Sequence, residues 1–127
     1  MKMSILLQLN QLKPKITNST MPIKTTYKFT RLFKEIEENV EFFNKTLSDL
    51  LNNYGQKDEN GEYILTEDGN GVKIKEDKYD ECLEKINELN ALEANLIYQP
   101  IFKIEELENL ELSMTELELL MPFIEEN

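Results

Sequence analysis

From Phe29 onward the apolar positions fall at Phe29, Phe33, Ile36, Val40, Phe43, Leu47, Leu50 and Tyr54, spaced alternately four and three residues apart. That alternation is a heptad seam, and Gly55 directly after it is a natural carboxyl-terminal stop. Pro22 suits a first helical turn and Ser19 or Thr20 an amino-terminal cap, so residues 22–54 are expected as one helix of ~33 residues and ~50 Å. Leu32, Phe42 and Leu51 widen the stripe, as packing against more than one neighbour requires. Ahead of it, "SILLQL" at residues 4–9 reads as a short strand or an apolar arm, so residues 1–20 are expected as an arm or strand.

Beyond Gly55 the pattern changes. Asn60-Gly61 and Asp68-Gly69-Asn70-Gly71 are turn signals, and "EYILT" and "VKIK" flank the second as strand-like runs. Residues 56–76 are therefore expected as an inserted β-hairpin. Tyr79, Cys82, Ile86, Leu89 and Leu92 form the stripe of a second helix from about Asp77 to Asn95. "LIYQPIF" reads as a short edge strand because Pro100 cannot donate to a ladder. Ser113 with Glu116 three residues later is a capping box opening a short terminal helix that ends near Pro122. The expected fold is α+β, mostly α, in a single domain over residues 1–127. Its order is long helix, inserted hairpin, then helix, strand and helix over residues 77–127.

Charge alters this picture. Lys2, Lys13, Lys15, Lys24, Lys28, Arg31 and Lys34 all precede Glu35, and all 25 carboxylates follow Lys34. The net charge of −11 argues against direct double-stranded DNA binding or adhesion to an anionic membrane. No run approaches the ~20 apolar residues of a membrane-spanning helix, and Gln8, Asn10 and Gln11 interrupt the only signal-like stretch. One cysteine, Cys82, fits a reducing cytoplasm.

Catalytic chemistry is thin. There is no histidine, no cysteine pair, no glycine-rich phosphate loop and no nucleophile elbow. The acidic turns fail the EF-hand register, since Tyr63 or Lys73 stands where that loop needs glycine. The expectation is a non-enzyme with no cofactor and no metal. Lys24, Lys28 and Arg31 share one helical face and, with Lys34, form the candidate ligand- or partner-binding set. Cations in a helix's leading turns oppose its dipole, a sign that an incoming anion reverses. The competing explanation is pairing along the helix, Arg31 with Glu35 and Lys34 with Glu38, worth ~0.2–0.5 kcal/mol each. The seam of Phe29, Phe33, Ile36, Val40, Phe43, Leu47 and Leu50 outruns the second helix by roughly 20 Å, which favours either a folded-back arm or a homo-oligomer.

Tyr27-Lys28-Phe29, the run Tyr54–Gly61, Leu110–Ser113 and Pro122–Glu126 resemble a group of small proteins from phages and prophages of Gram-positive bacteria. The likeness covers roughly residues 20–127. It implies a phage origin and a site of action in the host bacterial cytoplasm, and it brings no catalytic residues. The function expected on these grounds is binding, as a counter-defence inhibitor that blocks a host bacterial immune protein or sequesters its nucleotide signal. The alternative is a virion structural or head/tail assembly protein.

Overall fold

The structure, a computed structural model, describes residues 1–69 and 71–125. Most of them are helical: α1 (Met3–Asn10), α2 (Lys13–Thr17), α3 (Ile23–Tyr54), α4 (Tyr79–Asn90) and α5 (Met114–Leu120). Single 3-10 turns lie at Glu76–Lys78, Ile104–Leu107 and Met121–Phe123. The chain divides into two compact units, residues 1–40 with 93–127, and residues 41–92. The helix α3 contributes to both, its residues through Val40 to the first and from Glu41 to the second.

In the first unit, α1 replaces the expected strand or arm. Met3, Leu6, Leu9, Leu12 and Ile16 recur every three or four residues and all are buried. That is helical spacing, and Met, Leu and Gln are good helix formers. Pro14 opens α2 in its first turn, where its missing N–H costs nothing. Neither Ser19 nor Thr20 caps α3: Ser19 Oγ donates to the Lys15 carbonyl, and the Pro22 carbonyl accepts the Thr26 N–H at 3.0 Å. Further along, α1 packs on α5. Phe102 is fully buried and stacks on Phe29 with ring centroids 4.4 Å apart.

The expected edge strand around Pro100 does not form. The N–H groups of Ile97 and Tyr98 donate to the Glu35 carboxylate, at 3.2 and 2.8 Å, so a side chain takes the place of a neighbouring strand. Only one parallel bridge, Phe102 with Ile124, ties this segment to the end of the described chain. The capping box is present as its spacing predicts, with Glu116 N–H on Ser113 Oγ at 3.1 Å and Ser113 N–H on Glu116 Oε1 at 2.9 Å.

In the second unit, no β-hairpin and no β-strand forms among the described residues, so the α+β expectation is corrected to a helical fold. Among the described residues of 55–74 there are instead three isolated antiparallel bridges, Gly55 with Ile74, Lys57 with Tyr63, and Leu65 with Val72. The turns are as read. Asp58 Oδ1 accepts the Asn60 and Glu62 N–H groups, and Gly61 and Gly69 take positive φ. Those turns lie so close that the run between them is shared by two neighbours, and neither ladder reaches two consecutive bridges. Asn70 of the second turn signal lies outside the described residues. The helix α4 ends at Asn90, short of Asn95, and buries Cys82 and Leu89 while Tyr79 and Leu92 stay exposed.

Phe29, Phe33, Ile36 and Phe43 of the long seam are buried, and Val40, Leu47 and Leu50 are half-buried. An uncovered seam therefore gives self-association no argument at the four buried positions.

Candidate partner-binding face

The amino-terminal cations are the part of the charge pattern that folding rearranges most. Lys13 pairs with Glu37, Lys15 with Glu116 at 2.7 Å, and Lys28 with Glu106 at 3.0 Å. In two of these pairs, Lys15–Glu116 and Lys28–Glu106, the first unit brings a base from the beginning of the chain onto an acid from its last quarter. Neither Arg31–Glu35 nor Lys34–Glu38 is an ion pair among the described residues. Glu35 is turned to the Ile97 and Tyr98 backbone instead.

The node at Glu106 is the best defined. Its carboxylate accepts from Lys28 Nζ at 3.0 and 3.1 Å, from Thr25 Oγ1 at 3.1 Å and from the Lys103 N–H at 2.7 Å. Burial alone raises its pKa, but the hydrogen bonds from Lys103, Lys28 and Thr25 together outweigh it and leave the carboxyl below its usual range. Lys28 also donates to the Ile101 carbonyl at 2.8 Å and lies 5.4 Å from the Phe102 ring centre. It is a packed structural cation rather than an open anion receptor.

Arg31 stacks its guanidinium over Tyr98 at 4.2 Å, with Tyr27 at 5.9 Å on the same group. Beside them Ile23, Lys24, Tyr27, Lys28 and Tyr98 line an open depression of about 450 Å³ with nearly wholly apolar walls. Ile23 is 85% exposed and Tyr27 59%. Lys24 reaches this rim with no acidic partner among the described residues. Lys34 lines a different groove of about 410 Å³, between α2 and α3, alongside Lys13 and Glu37.

Of the four expected cations, the structure therefore gathers Lys24, Lys28 and Arg31 at one place and separates Lys34. Sequence reasoning missed Ile23, Tyr98 and Glu106. An exposed isoleucine directly after Pro22 was a readable hint, whereas Tyr98 and Glu106 arrive only through tertiary folding. No helix among the described residues is long and apolar enough to cross a membrane. Comparison of the chain with protein-family models, with curated proteins and with solved structures finds no match in any of the three.

Proposed function

We propose that this is a non-enzymatic phage protein that works by capture, seating a host bacterial immune protein on the Ile23–Tyr27–Tyr98 face in the host cytoplasm. The phage assignment rests on the resemblance of residues 20–127 to phage and prophage proteins. The observation that carries the binding role is the apolar-walled depression itself, with two large side chains left in solvent beside Lys24 and Arg31, which have no carboxylate partner among the described residues. Tyrosine and arginine are the residue types that dominate interface energetics. Covering Ile23 and Tyr27 offers a gross ~3–5 kcal/mol at the usual value per buried side chain.

The chemistry favours a protein over a nucleotide signal as the occupant. A polyphosphate needs several uncommitted cations, but Lys28 is held by Glu106 and Arg31 sits over the Tyr98 ring. What complements this face is an apolar side chain flanked by carboxylates. Against the strongly acidic whole, Lys24 and Arg31 make the face locally basic, which steers such a surface toward it.

The test is purification of tagged full-length chain from infected host cells, alongside an Ile23→Asp/Tyr27→Ala variant, with bound proteins and released small molecules identified by mass spectrometry. One host protein at fixed stoichiometry, lost in the variant, supports the reading. A released nucleotide with no protein overturns it in favour of signal sequestration. Stoichiometric presence of the chain in purified virions overturns it in favour of a structural role.

A further inference from the structure

A second concavity in the first unit, about 690 Å³, lies between α1, α5 and the irregular residues 94–99. Its size is that of a small-molecule site, and it has the matching composition, largely apolar with a few polar groups converging from separate elements. Ile5, Leu119 and Phe123 supply apolar wall. Asn95, Gln99 and Thr115 supply amide and hydroxyl groups. The Gln99 Nε2 donates to the Leu96 carbonyl at 3.2 Å, which fixes the side chain and leaves its oxygen free to accept.

Charge narrows the class of occupant. Among the described residues no lysine or arginine lines the cavity, and the one acidic side chain there is Glu118. The Met1 ammonium at the edge is already held by Glu93 at 2.9 Å and the Ala94 carbonyl at 3.3 Å. An anion entering here loses its hydration, finds no free cation and meets Glu118. A cation gains little from so exposed a carboxylate. The geometry points to a site for an uncharged amphipathic ligand, one with an apolar body for Ile5, Leu119 and Phe123 and an amide-like edge for Asn95, Gln99 and Thr115. This site is separate from the face proposed for partner capture and stands or falls independently of it.

Three probes of one shape test the assignment: N-acetyl-leucinamide (neutral), N-acetyl-leucine (anionic at pH 7) and leucinamide (cationic). Each is titrated into the isotope-labelled full-length chain while amide resonances are followed. The neutral probe is expected to shift Gln99, Thr115 and Leu119 saturably with Kd on the order of 1 mM, typical for so small a ligand. The anionic probe is expected to bind about tenfold or more weakly. Leu119→Trp, which fills the cavity, is expected to abolish the shifts, and Thr115→Trp on the exposed rim does the same should the first variant fold poorly. Ile23→Asp is expected to leave them unchanged. Absence of saturable shifts, equal or tighter binding of either charged probe, or shifts that survive Thr115→Trp would overturn the assignment.

Discussion

Replacing Glu106 by alanine is the sharpest perturbation of the first unit, because one carboxylate there satisfies three donors, two from α3 and one from the backbone at Lys103. Thr25 is 1% exposed, so its hydroxyl cannot turn to water. Lys103 is exposed, so its N–H recovers a water. Lys28 keeps the Ile101 carbonyl but loses its counter-charge in a half-buried place. Orphaning Thr25, unpairing Lys28 and losing the Lys103 bond sum to about 2–4 kcal/mol. Glu106→Gln keeps the shape and acceptor oxygen and is expected to cost about half as much.

The assay is urea unfolding followed through the Phe102 and Leu120 amide resonances, which report the first unit directly. With a slope near ~2 kcal/mol/M, the alanine variant's midpoint falls by about 1–2 M. The pH dependence adds a second reading. The folded-state pKa of Glu106 lies below its unfolded value, so its contribution is complete above the unfolded pKa of about 4.3 and disappears as pH falls through the folded value. The gap between native and variant midpoints should be full at pH 7 and close toward pH 3. An alanine variant within about 0.5 kcal/mol of the native chain, or a gap that widens in acid, would refute the node.

Other expectations follow from single positions. Glu116 has its pKa lowered chiefly by the Lys15 hydrogen bond and the Ser113 N–H, so the stability difference between native chain and Glu116→Gln should also shrink on acidification, read from urea midpoints at pH 7 and pH 3. Phe102→Ala opens a cavity against Phe29 and should cost about 3–5 kcal/mol in the same titration. At Gly55 an added Cβ would lie 2.6 Å from the Leu51 carbonyl oxygen and 2.8 Å from the Tyr63 ring. Gly55→Ala should therefore speed amide exchange at Gln56 and Lys75, which bond the Lys73 and Tyr54 carbonyls, by about tenfold or more.

Local regularity made part of this fold readable. The four-three spacing from Phe29 to Tyr54 predicts α3, found at Ile23–Tyr54, and the Ser113/Glu116 pair predicts the start of α5. Six residues of "SILLQL" were too short a window to separate strand from helix, and only extending the count to Leu12 and Ile16 shows the helical period. The hairpin failed on competition. Turn chemistry at Asp58, Gly61 and Gly69 was legible, but the backbone pairing that turns permit was divided between two neighbours. For the candidate face, helical periodicity put Lys24, Lys28 and Arg31 together. It could not show that Glu106, 78 residues further on, takes Lys28, or that Tyr98 takes Arg31. Long-range pairing decided which cations remained available.

The most direct measurement is site-specific photo-crosslinking in infected host cells, with a photoreactive phenylalanine placed at Ile23 and, as a control, at Met114, which is 79% exposed on α5. Capture through the Ile23–Tyr27–Tyr98 face predicts one discrete host-protein adduct from position 23, competed away by the unlabelled chain and absent from position 114. Adducts from position 114 alone, or none from position 23 beyond a dimer of the chain itself, would contradict it.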